Sequence, residues 1–280
     1  MTATRPAPNA LSRDLGDLLR YWRDVRGMSQ LDLSLEAGVS QRQISFIESG
    51  RSVPGRDTLL TLAQTLEVPL RERNALLLAA GYAPMYADAP WNAREMHGIT
   101  RALERMVRQH EPFPAIVMDR HWNVLMTNDA APRFFGCFVD MAAREGPRNM
   151  LHLIFDPQGM RPFVADWDAV SRSLLQRVYR ESVGHAIDAG TRSLLDALLA
   201  YPDVPRDWNA HHGPDGATLP VIPLGFVNDG VVLRYFSLVT SVAAPQNVAA
   251  QELRLECMFP ADDETETRHL QLLAAHAPAR

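Results

Sequence analysis

Gln41, Arg42, Gln43 and Ser45 place four hydrogen-bonding side chains within five residues, with Phe46 beside them and Arg51 shortly after. Amide, guanidinium and hydroxyl groups at this density suit the edges of base pairs and the phosphates that flank them. Such chemistry needs a rigid carrier. Residues 28–50, MSQLDLSLEAGVSQRQISFIESG, contain two short helix signals separated by a turn. Ser29 and Ser40 are N-cap residues, whose hydroxyls accept bonds from otherwise unpaired N–H groups of a first helical turn. Gly38 sits where the chain reverses, and Gly50 closes the second helix; both tolerate the left-handed backbone that a Cβ resists. The layout is helix, tight turn, helix, with the polar side of the second outward, and it fits a helix that enters the major groove of DNA.

Charge qualifies that reading. The chain carries a net −5, but unevenly: residues 1–83 hold ten arginines and nine carboxylates, while the remainder holds 18 and 24. Affinity for a polyanion must therefore come from cations gathered on one face, and from two copies reading half-sites about 34 Å apart. There is no lysine anywhere. That removes the Ser-Lys dyad of self-cleaving repressors and every other lysine-dependent mechanism. Cys137 and Cys257 form no C-x-x-C pair, and neither a P-loop nor a G-x-G-x-x-G sequence is present. Zinc, disulfide and nucleotide chemistry thus lack a signature. His211-His212 is a poor metal site, because adjacent side chains diverge. No catalytic residue, metal ligand or cofactor is expected. No apolar run approaches the roughly 18 residues that a membrane helix needs. The opening MTATRPAPNA lacks the apolar stretch of a secretory signal, so the expected location is the cytoplasm.

The composition, 46% hydrophobic and 22% charged, is that of a folded chain long enough for two domains. Residues 1–10 read as a flexible tail. Leu15, Leu18, Leu19 and Trp22 recur at helical spacing in a first helix over 11–26. Helices are expected at 30–37, with Leu31, Leu33 and Leu35 as its apolar residues, at 41–49 around Ile44 and Ile47, and at 56–66. A fifth has Pro69 in its first turn and stops at Gly81. These five helices make one all-α domain over 11–81. A linker and connecting helix span 82–109. The period then changes. Strands are expected at 115–119 and 122–128, helices at 129–135, 150–155, 167–183 and 191–201, and strands at 218–227, 231–242 and 252–259. Asn228-Asp229-Gly230 is a hairpin turn. The order predicts an α+β domain with an antiparallel sheet over 110–267, followed by a C-terminal tail at 268–280 that reads either as a short helix or as disordered. Asp262-Asp263-Glu264 reads as a solvated acidic turn.

The first 80 residues resemble the Cro and lambda-repressor helix-turn-helix family, also called the xenobiotic-response-element family. The resemblance rests on Met28-Ser29-Gln30, Gly38-Val39-Ser40 and Ile44-Ser45-x-Ile47-Glu48-x-Gly50. It implies that Gln30 and Gln41 open the two helices and contact DNA backbone and bases respectively. Arg42, Gln43, Ser45 and Phe46 would take the groove-facing positions, flanked by Ser40 and Arg51. Glutamine would read adenine and arginine guanine. The resemblance further implies a structural ion pair between Arg23 and Glu48.

Residues 104–266 resemble the ligand-binding domain of MmyB-like bacterial regulators, which has a PAS-like fold. The resemblance rests on HEPFPAIVMDRHWNVLMTNDAA at 110–131, NMLHLIFDP at 149–157 and LRYFSLVTSVAAPQNVAAQELRLECMFPADDET at 233–265. Val242 and Asn247 depart from the aromatic and the aspartate frequent there. The implied ligand is small, apolar and fatty-acid-like. Met118, Trp122, Met126, Phe134, Phe135, Phe155, Phe236 and Met258 are the candidate pocket residues, methionine being suited to irregular cavities. Together these features predict a homodimeric regulator that binds operator DNA and senses a small apolar molecule. The alternative is a regulator or antitoxin whose second domain grips a protein.

Overall fold

The computed structural model describes residues 14–183, 189–209 and 224–276. The tail expected at 1–10, the residues expected as strand at 218–223 and the His211-His212 pair lie outside the described residues. The chain divides into two compact units. The first runs to Ala89 and takes in the stretch from Arg180 and Pro245–Gln251; the second begins at Pro90 and carries the sheet.

The first unit is built on α1 (Leu15–Val25), α2 (Gln30–Ala37), α3 (Gln41–Glu48), α4 (Arg56–Thr65) and α5 (Leu70–Ala79). Its boundaries follow from local chemistry. Ser29 and Asp32 form a reciprocal capping box at the start of α2, with bonds of 3.1 and 2.8 Å. Gly38 ends α2 in the left-handed conformation, at φ 65°. The Ser40 hydroxyl accepts from the Gln43 N–H at 3.2 Å and starts α3. Pro69 takes the N-cap of α5 rather than its first turn. The core gathers Leu19, Trp22, Leu33, Ile44, Ile47, Leu59, Leu62 and Leu77. Of the three α2 leucines only Leu33 is buried, while Leu31 and Leu35 are 51% and 74% exposed. Residues spaced two apart cannot share one face of a helix, so only one of the three turns fully inward. Close packing of α1 on α3 depends on Gly16, where a Cβ would lie 2.6 Å from the Glu48 carbonyl oxygen. In the same unit the Leu70 N–H, unpaired at the start of α5, donates to Gln251 Oε1 at 2.7 Å.

The second unit is α+β. Strands β1 (Ala115–Met118), β2 (Val124–Thr127), β3 (Leu224–Asn228), β4 (Val231–Ser241) and β5 (Arg254–Pro260) form one sheet in the order β2-β1-β5-β4-β3. Every pairing is antiparallel. Asp229 and Gly230 both have positive φ, as a two-residue hairpin between β3 and β4 requires. Between β4 and β5 lies a short helix, α11 (Val248–Glu252), that the sequence pattern does not announce. Helix α6 (His97–Gln109) packs on β1 and β5. The opposite face of the sheet carries Ile116, Met118, Leu233, Tyr235 and Met258 into the main core. There they meet α7 (Ala130–Gly136), α8 (Met150–Phe155), α9 (Trp167–Val183), α10 (Ala189–Leu199) and α12 (Asp263–Ala275).

Two expectations change here. Trp122 is not a strand residue: it occupies a turn at φ 66°, where Asp119 Oδ1 accepts the N–H groups of His121 and Asn123 at 2.8 and 3.0 Å. The chain beyond Thr267 is helical as far as Ala275, one of the two readings that the sequence left open. Asp262 caps α12 by accepting the Thr265 N–H at 2.7 Å, so the acidic run is a helix start, and α12 buries His269, Leu272 and Leu273. Acidic residues in a first turn suit the helix dipole, a role that composition alone does not separate from a solvated turn.

Candidate DNA interface and ligand pocket

Helix α3 presents Gln41, Arg42 and Gln43 to solvent, with Ser40 exposed just before them and Arg51 exposed after the helix. Ser45 and Phe46 are half-buried at the margin of the same surface. Ile44 and Ile47 anchor the opposite side at 0% and 1% exposure. The helix is thus held by its apolar face and offers its polar one.

An ion-pair network locks this helix to α1. Arg23 Nε donates to Glu48 Oε1 at 2.7 Å, and Arg23 Nη2 to Oε2 at 3.2 Å. The Glu48 side chain is only 3% exposed. Burial alone would raise its carboxyl, but bonds from Arg23 and Gln30 and the charges of Arg23 and Arg20 outweigh that and hold it below the usual carboxylate range. Hydrogen bonding to Glu48 likewise raises Arg23. The implied pair is therefore present and bidentate, the stronger form of such contacts. Gln30 joins this network. It is half-buried, and its amide donates to Glu48 Oε2 at 2.9 Å, so that nitrogen is committed inside the domain.

The second unit contains an apolar cavity of about 150 Å³ between β1, β2, α7, α8 and the loop that precedes α8. Ile116, Val124, Phe135, Met141, Met150 and Leu153 supply apolar walls, and Arg144 and Asn149 supply polar groups. The Arg144 side chain is 9% exposed. It donates to the Pro147 carbonyl at 3.1 Å and reaches Asp156 Oδ2 at 3.4 Å. Its buried Nε has no hydrogen-bond partner among the described residues. Such an orphan donor is costly unless a ligand or water satisfies it.

Of the candidate pocket residues, only Phe135 lines this cavity. Met118, Phe134, Phe155 and Met258 are buried in the core that surrounds it. Trp122 is 3% exposed, and the Arg177 guanidinium lies 4.4 Å from its ring centroid. Cross-strand register puts Met126 beside Val117 and Phe236 beside Phe259, on the other face of the sheet. Phe236 stacks on Phe259 at 5.5 Å. Arg144, Asn149 and Met141 were not legible as pocket residues, because the loop from 137 to 149 has no hydrophobic period to place them. The single available signal was a guanidinium beside apolar Met141 and Met150.

Two histidines in this unit are structural. The Pro112 carbonyl can only accept, so His269 Nε2 donates to it at 3.1 Å, and Nδ1 must then accept the Tyr235 hydroxyl at 2.8 Å. Burial lowers His269 and keeps the ring neutral. It stacks on Phe134, 5.3 Å between centroids. His152 Nδ1 pairs with the Tyr201 hydroxyl at 2.9 Å, and burial followed by the Arg144 charge lowers it too. Buried Asn128 bonds the Ala115 and Ala131 N–H groups and the Phe113 carbonyl, joining β1 to α7. Among the described residues no group of His, Cys, Asp and Glu could hold a metal ion, and no helix is long and apolar enough to cross a membrane.

A capped helix-turn-helix with an exposed polar second helix, followed by a separate α+β unit with an apolar cavity, defines a DNA-binding regulator with a ligand-binding domain. Comparison with known families agrees. A helix-turn-helix family model matches residues 19–73. The model described as MmyB-like transcription regulator ligand binding domain matches residues 99–273, more than half of the chain. The chain belongs to the MmyB-like transcription regulators. A search among curated proteins finds no match.

Proposed function

We propose that this regulator is a cytoplasmic homodimer that reads two operator half-sites, one with each α3. The observation that carries this reading is the exposed row Gln41, Arg42 and Gln43 on a helix fixed by the Ser40 cap and the Arg23–Glu48 pair. A domain of near-neutral charge gains little from phosphates alone, so doubling the contacts offsets weak single-site binding.

The sensed molecule is small, with an apolar body and an acidic head. The cavity walls suit the body, and the buried, unpartnered Nε of Arg144 suits the head. At about 150 Å³ the cavity is below the usual range for ligand sites, which favours a short acyl acid over a long one. Its concave, mostly apolar lining also favours a small molecule over a gripped protein, as in the antitoxin alternative. Binding regulates only if the ligand prefers one arrangement of the DNA-reading heads.

Native mass spectrometry of the full chain with an operator duplex tests this reading. Two chains per duplex, and retention of added octanoate, are expected. One chain per duplex with no retained acid would contradict it.

A further inference from the structure

The two guanidiniums nearest the α3 surface face a phenyl ring instead of a carboxylate. Arg42 Cζ lies 5.2 Å from the Phe46 ring centroid, and Arg51 Cζ lies 5.7 Å from it. Both distances are within the reach of cation–π attraction. Among the described residues neither guanidinium makes a hydrogen bond or an ion pair. Their neighbours differ: Arg23 is bound to Glu48, and Arg26 to the Leu66 carbonyl at 2.8 Å. The face that carries Arg42 and Arg51 thus keeps its positive charge uncompensated, within a domain whose charges otherwise nearly cancel.

The backbone explains how both arginines reach one ring. Arg42 is four residues before Phe46, so the two share a helix face. Arg51 arrives through the end of the helix. Gly50, at φ 70°, turns the chain back. The Gly50 N–H then bonds the Ile47 carbonyl at 3.0 Å and the Arg51 N–H bonds the Phe46 carbonyl at 2.8 Å. This bond pair is the Schellman motif, which commonly sets an apolar contact between the same two positions. Here a cation fills one of them. The three side chains form a row, Arg42–Phe46–Arg51, along the exposed edge of α3.

We propose that Phe46 is a positioning residue for DNA recognition. Its ring holds the Arg42 fork toward the O6 and N7 of a guanine in the major groove, and holds Arg51 toward a phosphate. An arginine whose orientation is set before binding loses less freedom on contact, so the stack converts a general attraction for duplex into preference for one guanine per half-site. This inference rests on α3 being the helix that enters the groove.

The test is selection from a random-sequence duplex library by the full-length protein, with salt-dependent affinity and thermal melting of each variant. Wild type is expected to select one guanine per half-site. Arg42→Ala and Phe46→Leu should both lose that preference about tenfold at that same position. Phe46→Leu keeps apolar bulk and should melt as wild type does, and Phe46→Tyr should restore the guanine. Arg51→Ala should keep the base preference and lower the salt slope by about 1. The proposal is overturned if Phe46→Leu selects the guanine as strongly as wild type. It is equally overturned if Phe46→Leu loses a thymine that Arg42→Ala retains, since the ring would then read a methyl group itself. A wild-type protein that selects no duplex sequence overturns this proposal together with the reading of α3 on which it rests.

Discussion

Glu48 shows how one buried charge sets the geometry of an exposed surface. Its side chain, 3% exposed, receives Arg23 and Gln30 while its carbonyl receives Arg20 at 2.7 Å. Removing one partner of a buried pair leaves the other uncompensated and costs about 3–5 kcal/mol. Glu48→Gln should therefore lower unfolding stability by about 3 kcal/mol in denaturant titration, and a loss under about 0.5 kcal/mol would contradict the network's importance. The carboxyl is held below its unfolded value, so the stability it supplies is full above about pH 4.5 and is lost as pH falls through the lower folded value. The Gln variant should show a smaller acid loss than wild type, what remains coming from other lowered carboxylates such as Asp32 and Asp262. At the cavity, Arg144→Met should abolish retention of octanoate while leaving the melting temperature of the ligand-free protein within a few degrees. Unchanged retention would remove Arg144 as the acid's partner.

At the scale of elements, the helix-turn-helix was legible because its determinants are local. Ser29 and Ser40 cap helices within three residues of themselves, and Gly38 and Gly50 end them. What the pattern missed depends on distant partners. Helix α12, left open in the sequence between a short helix and disorder, is fixed by His269 bonding Pro112 and Tyr235, groups far from it in sequence. The turn that carries Trp122 is set by Asp119, and the cavity by a loop without period. The approach of α1 to α3 is likewise invisible until both are in place. Gly16→Ala would bring a Cβ against the Glu48 carbonyl and should cost about 1–3 kcal/mol, read by thermal melting. Anchoring of α12 has its own pH signature. His269 is lowered by burial, so the unfolded chain takes up a proton that the fold refuses. Stability should be flat above about pH 6.5 and fall as pH drops below it. His269→Gln, which can still bond both partners, should flatten that slope and leave the part that belongs to His152, also lowered by burial; an identical slope would assign it elsewhere.

At the scale of the whole molecule, a candidate recognition surface and an apolar cavity occur in one chain, in separate compact units. Each follows from a different use of arginine. In the first unit Arg23 is spent inside, on Glu48, while Arg42 and Arg51 stay uncommitted outside. In the second, Arg144 is buried with one donor unmet. The central claim is that the exposed row on α3 is what touches DNA. It is tested most directly by fluorescence anisotropy of a labelled operator duplex with wild type and with Arg42→Ala/Gln43→Ala. Both side chains point to solvent, so the double variant should melt within a degree or two of wild type and bind the operator at least tenfold more weakly. Equal affinity in a folded double variant would contradict the placement of the DNA interface on α3.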